Sequence, residues 1–314
     1  MHKPHHIAIL AYDGVVPFDL TMALETFTRV RNCSGEPAYA IRVCTDGPAI
    51  DAGFFYLESH WRLEDAASAD TVIVPGLQDP KRMPSTICHI VAEAARRGAR
   101  IVSICSGSFV LAAAGILSGR RATTHWAGAA DLSINYPDVV VLPNVLYVED
   151  GNIFTSGGAT AGIDLCLHLI RCDQGSAAAA EAARLALVPL VRDGGQAQFV
   201  KPPTCSLHGS LGSLVEWAQG QRTGSLGIDS LARRAGVSTR TLTRRFQEQM
   251  GTSPQKFLTS LSIERAKVLL ESTKAPVDLI AEQCGFNSTI TFRAAFSRLV
   301  GIAPSRYRKA FRLC

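Results

Sequence analysis

A thiol, an imidazole and a carboxylate, the parts of a nucleophilic centre, stand at Cys105, His125 and Asp19. In RIVSICSGSFVLAAAGILSGRRATTHW (100–126) an apolar run ends at Ile104, and Cys105-Ser-Gly opens a helical pattern without a break. A residue on such a strand-to-helix elbow is held in a strained backbone with its side chain presented outward. Amides at a helix N-terminus favour negative charge, so Cys105 is expected to reach the thiolate state near neutral pH. His125 follows the strand-like RATT, and Asp19 begins the first helix in VPFDLTMALETF. Together they could serve as nucleophile, base and orienting carboxylate.

A second chemistry lies near the other end, in a repeat. Ala232-x3-Gly236 is followed by Val237, Leu242, Phe246, Gly251, Pro254 and Phe257. Ala281-x3-Gly285 is followed by Phe286, Phe292, Phe296, Gly301, Pro304 and Tyr307, with one extra residue in the turn. Gly236 and Gly285 can adopt the positive φ that ends one helix and turns the chain into the next. Ser238 and Ser288 then stand as N-caps. Leu242 with Phe246, and Phe292 with Phe296, are four apart and face inward, which leaves the opposite, arginine-bearing face outward. That is a helix-turn-helix, twice, whose second helices are shaped for the major groove.

The elements that must carry these groups differ between the two ends. Residues 6–12, 38–45, 71–75 and 100–104 read as strands, alternating with helices at 18–31, 84–97 and 107–116. That order implies a parallel sheet covered on both faces. Further strands are expected at 139–142, 145–149 and 152–155, then helices at 160–172 and 175–187. A stretch rich in Gly, Pro and Ser at 191–212 reads as a flexible linker between a domain at 1–190 and one at 213–314, and beyond it the pattern is all helical. Residues 218–314 hold 16 Lys+Arg against 6 Asp+Glu, a net of +10, although the whole chain carries only +5. A basic end of this kind suits a polyanion.

Composition narrows the classes further. With 47% apolar and 19% charged residues, the chain is expected to bury a large core. No apolar run reaches the ~20 residues of a membrane span, and no leader pattern opens the sequence, so a cytoplasmic protein is expected. The nine cysteines are scattered without a CxxC, so neither a zinc site nor a disulfide frame is expected. His2, His5 and His6 read as a disordered start and not as a metal site.

Residues from about 211 to 314 resemble the AraC/XylS domain, in which a long helix, here containing ERAKVLLESTK (264–274), joins two helix-turn-helix units. The resemblance implies that helices near 239–249 and 289–299 read successive major grooves. By position, Arg240, Thr243 and Arg244 face bases from the first, and Thr289, Ile290, Arg293 and Ala294 open the second, while Arg245, Arg298 and Lys256 suit phosphate. Residues 5–187 resemble the PfpI-like branch of the class I glutamine amidotransferase superfamily, a flavodoxin-like α/β fold. There Asp19-Leu-Thr is similar to the acidic motif of isocyanide hydratases, Cys105 to the elbow cysteine and His125 to its neighbouring histidine. Gly76, in VIVPGLQ, falls on the loop that helps the elbow form an anion pocket. The full order, supported by ATTHW, TAGIDLCLHLIR and VRDGGQAQF, resembles GlxA-type regulators.

Three uses of Cys105 remain open: a pocket residue for a small molecule, a redox switch through sulfenic acid, or amidase or hydratase chemistry. The first is favoured, because a regulator needs a reversible signal that turnover would erase. The expectation is a transcription regulator and not an enzyme, acting as an activator. It would bind double-stranded promoter DNA as a homodimer, work with RNA polymerase, and hold a small-molecule effector near Asp19, Gly76, Cys105 and His125, without cofactor or metal.

Overall fold

Short runs such as HHIAILA and RIVSI are apolar at consecutive positions, as strands buried on both faces must be. A computed structural model describes residues 4–32, 34–192, 194–199, 210–221, 226–250 and 252–311. Its strands and helices follow in order as β1 (His5–Ala11), α1 (Pro17–Thr28), β2 (Tyr39–Thr45), β3 (Ala49–Asp51), β4 (Tyr56–Glu58), β5 (Trp61–Arg62) and β6 (Thr71–Val74). Then come α2 (Ser85–Arg96), β7 (Arg100–Ile104), α3 (Gly107–Ala113), β8 (Arg121–Ala122), α4 (Ala129–Asn135), β9 (Val140–Val141), β10 (Tyr147–Asp150), β11 (Ile153–Ser156) and α5 (Thr160–Leu185). Helices alone follow: α6 (Ser210–Gly220), α7 (Ile228–Arg234), α8 (Thr239–Met250), α9 (Pro254–Ser272), α10 (Val277–Gln283), α11 (Thr289–Val300) and α12 (Pro304–Phe311).

A seven-stranded sheet in the order β10-β11-β7-β6-β1-β2-β5 forms the centre of the first half, parallel except for the antiparallel edge strand β10. The crossover helices pack on its faces and bury Ile9, Ile73, Val102, Val110 and Leu165 in one apolar core. This is the parallel sheet covered on both faces expected from the strand-helix alternation, in the flavodoxin-like arrangement that the PfpI-like resemblance implies. The two helices expected at 160–172 and 175–187 are continuous in α5 but for Gly175, whose φ of 84° breaks the helical geometry between them. The hairpin β3–β4 and the helix α4 were not legible in the sequence. His5 and His6 begin β1, and the His5 ring lies 2.8 Å from Thr71 Oγ1, so they are strand residues and not a disordered start. His2 lies outside the described residues.

The chain divides into two units, residues 1–196 and 197–314. The sequence places 191–196 in a flexible linker, yet Arg192 bonds Asp164 and Thr160, and Gln196 is 4% exposed inside the first unit. The seating of these residues depends on partners more than thirty positions away in some cases, which local composition does not reveal.

The second unit has two small cores. Leu211, Leu214, Leu231, Leu242, Phe246 and Leu258 form one, and Ile263, Leu270, Ile280, Phe292, Phe296 and Tyr307 the other. Helix α9 contributes Leu258 to the first and Ile263, Ala266 and Leu270 to the second, so one helix joins both halves.

Candidate functional site

Strand β7 delivers Cys105 to the carboxyl end of the sheet, where parallel α/β folds gather their chemistry. Its φ of 58° is the strained elbow expected from Ile104-Cys-Ser-Gly. Four contacts hold that geometry. The Cys105 amide donates to Ser156 O at 3.1 Å, and Thr124 Oγ1 donates to Cys105 O at 2.9 Å. Ser106 Oγ accepts from the Leu77 amide at 2.8 Å and donates to Leu77 O at 2.7 Å. Close approach then excludes side chains: a Cβ on Gly76 would stand 2.6 Å from Asp19 Oδ2, and one on Gly158 only 2.2 Å from Cys105 Cβ.

Asp19, Gly76 and Cys105 meet in this structure. Pro17 opens α1, which carries the 1% exposed Asp19 under the elbow. Asp19 Oδ2 accepts from the Gly76 amide and Oδ1 from the Ala159 amide, each at 3.2 Å, and the Cys105 thiol donates to the same carboxylate. Burial raises the Asp19 carboxyl to about 6, against the opposing pull of the two amides. Tyr12, fully buried, donates to Pro75 O on the loop that carries Gly76.

Two expectations are corrected here. Burial, reinforced by the Asp19 charge, pushes the Cys105 thiol up to about 12, so it is protonated at neutral pH and not a thiolate. Loss of hydration outweighs the amides at the head of α3. Nor do the three groups form a relay in the order thiol, imidazole, carboxylate. Asp19 engages the thiol directly, while His125 Nδ1 accepts from the Ala127 amide at 3.3 Å. Burial lowers the basicity of His125, so its ring is neutral near pH 7. The Gly76 amide, expected to help bind an anion, is already used by Asp19.

His125 and Cys105 nevertheless line one cavity of about 810 Å³, with Gln78, Met83, Phe109 and Tyr136 among its walls. Its volume suits a small organic molecule. Among the described residues no group of three or more His, Cys, Asp or Glu side chains is placed to hold a metal ion.

In the second unit the repeat folds as two helix-turn-helix pairs, α7–α8 and α10–α11. Gly236 and Gly285 take φ of 64° and 82° in the turns. Ser238 Oγ accepts from the Thr241 amide at 3.2 Å, and Ser288 Oγ from the Ile290 amide at 3.1 Å. Leu242, Phe246, Phe292 and Phe296 are fully buried. Arg240, Thr243 and Arg244 are exposed on α8, and Arg245 is half-buried beside the inward stripe. On α11, Ile290 is 81% exposed, Arg293, Ala294 and Arg298 are also exposed, and Thr289 is half-buried. Lys256 is exposed in the first turn of α9, where Ser253 caps its amide. Arg244 pairs with Glu248 at 3.5 Å and Arg293 with Asp278 at 3.7 Å, both on the surface.

Comparison with known proteins agrees with both halves. The DJ-1/PfpI family matches residues 7–172, more than half of the chain. The chain belongs to the DJ-1/PfpI family. Behind that DJ-1/PfpI unit, a helix-turn-helix domain of AraC type matches residues 231–310. The HTH-type transcriptional regulator GbdR of Pseudomonas aeruginosa is 29% identical over 98% of this chain and 85% of its own length. The HTH-type transcriptional regulator GlxA of Rhizobium meliloti is also 29% identical, over 91% of this chain and 90% of its own. A crystal structure of an AraC family transcriptional regulator from Pseudomonas putida superimposes with a TM-score of 0.53. It is 17% identical and covers 58% of this chain and 100% of that one, a likeness of fold.

Sequence reasoning did not find Ser106, Thr124, Ala159 or Gln196 as parts of the DJ-1/PfpI site. Only the paired glycines of SGGAT (156–160) offered a signal, since successive glycines mark a close backbone approach.

Proposed function

We propose that this chain is a sequence-specific DNA-binding transcription regulator controlled by a small molecule in the Cys105 cavity of its DJ-1/PfpI unit. The observation that carries the reading is the pair α8 and α11, each anchored in its own core by one face and bare and basic on the other. Arg240, Thr243, Arg244 and Arg293 are the base readers, and Ile290 offers an apolar contact for a thymine methyl. Arg245, Lys256 and Arg298 serve phosphates, with Ser238 and Ser288 fixing where the two helices begin. The ion pairs of Arg244 and Arg293 are solvent-exposed and therefore weak, so DNA can displace them.

The protein acts as a homodimer, which doubles the number of reading helices on one operator and raises affinity through effective concentration. It activates transcription in concert with RNA polymerase. The effector shifts DNA binding by favouring one arrangement of the two units over another. Nucleophilic catalysis and sulfenic-acid signalling both need a thiolate, and the half-buried Cys105 thiol, raised by desolvation and the neighbouring Asp19, disfavours it.

Fluorescence anisotropy on the chain's own upstream region tests the assignment. The expected result is tighter binding than to random DNA, with log K falling linearly against log salt. Equal affinity for both sequences would refute it.

A further inference from the structure

The last residues before the boundary between the units pack behind Thr124, His125 and Cys105, which line the cavity, and two successive glycines make the fit possible. A Cβ on Gly158 would stand 2.9 Å from the Cys105 sulfur, and a Cβ on Gly157 would stand 2.5 Å from Gln196 Cδ. The Gly-Gly pair is thus pressed between the elbow on one side and Gln196 on the other. Gln196 uses both ends of its buried amide. Oε1 accepts from the Trp126 amide at 2.8 Å, while Nε2 donates to Thr124 O at 2.8 Å and Val145 O at 2.9 Å. Trp126 and Thr124 flank His125, so these bonds hold the segment that brings His125 to the cavity. Gly195 lies so close to Asn144 that a Cβ would be 1.6 Å from its carbonyl oxygen, to which the Gln196 amide donates at 3.2 Å.

A segment whose only task is to span two domains needs none of this. We propose that Gln196 is a latch that reads the state of the Cys105 cavity and reports it to the point where the chain leaves the DJ-1/PfpI unit. The proposal rests on the regulator reading above. A molecule that moves the Thr124–Trp126 wall or the Gly157–Gly158 turn takes away the partners of Gln196. A buried primary amide without partners is costly, so residues 194–196 unseat together and Arg192, held by Asp164 and Thr160, becomes the last fixed point. Seating therefore selects the DNA-competent arrangement, and release dilutes it among others.

Two substitutions reach the latch from opposite sides. Gln196→Ala removes its bonds, and Gly157→Ala, at a glycine with no positive φ, places a methyl where the Gln196 amide sits. In the full chain, with folding checked by near-ultraviolet circular dichroism, hydrogen exchange at the Trp126 amide and at 195–199 should rise at least tenfold in either variant. The dissociation constant for the promoter fragment should rise at least fivefold, and the double variant should be no worse than the poorer single, because both act on one device. Unchanged exchange, faster exchange with affinity within twofold of wild type, or additive losses in the double variant would each overturn the latch. Wild type that fails to prefer its promoter sinks the regulator reading and the DNA half of the latch with it, while exchange still decides on the protein alone whether Gln196 holds the wall.

Discussion

Asp19 and Arg244 both sit on helices that carry the chemistry of their units, and their surroundings are opposite. Asp19 is 1% exposed, accepts two amides and a thiol, and its carboxyl rises to about 6 because burial strips its hydration. The Arg244 side chain is 70% exposed, keeps its water and spends only a long 3.5 Å pair on Glu248. The DJ-1/PfpI unit turns Asp19 inward onto amides of its own chain beside an open-mouthed cavity, whereas the helical unit leaves arginines such as Arg240 and Arg244 exposed on its surface. A site that receives a small molecule needs preformed walls. A surface that meets phosphate and base edges needs hydrated, displaceable charge.

Each prediction either breaks that contrast or makes it more quantitative. The largest effect is expected at Phe296, fully buried between Phe292 and Tyr307. Phe296→Ala should cost about 3–5 kcal/mol and unfold the second helical half first, read as a separate early transition in a denaturant melt. A single transition shared by both halves would show that α9 fuses the two cores into one.

Next comes the titration of Asp19. Its folded value lies above its ordinary one, so the folded chain holds a proton that the unfolded chain has released between about pH 4 and 6. Stability gained from that proton is full at low pH and is lost as pH rises through the folded value. Compared with Asp19→Asn, wild type should lose on the order of 3 kcal/mol between pH 4 and 7, measured by urea melts across that range. A flat difference would mean that Asp19 is hydrated after all.

On the exposed side, Arg244→Ala should relax sequence choice at one base pair by about 1–3 kcal/mol, measured by competition among single-base operator variants. Equal losses on operator and random DNA would assign Arg244 to phosphate. The smallest effect is expected from Cys105→Ser, which keeps the size and donor character of a protonated thiol. Operator affinity without effector should stay within about twofold, or roughly 0.4 kcal/mol. A larger loss with the fold intact would tie the sulfur itself to DNA binding.

Much of this was readable beforehand. Apolar strand runs gave the parallel sheet, and the strained elbow at Cys105 followed from strand, cysteine and helix in immediate succession. The Ala-x3-Gly repeats located both turns, both serine caps and both inward-facing apolar pairs. The hairpin β3–β4 escaped because its strands are three residues each, too short for alternation to register. Gln196 escaped because it lies in a stretch whose composition reads as linker.

What the sequence determined alone are features set by neighbours along the chain: helical and strand periods, caps, turns that need glycine, and the basic excess of the second unit. The ionisation of Cys105, the choice of Asp19 to bond the thiol instead of His125, and the burial of Gln196 were decided only by the tertiary structure. Each depends on hydration lost to residues far away in sequence, such as Asp19 against Gly76 and Ala159, or Gln196 against Thr124 and Val145. Spacing along a chain encodes periodicity and turn geometry, while desolvation is a property of the space that distant segments close together.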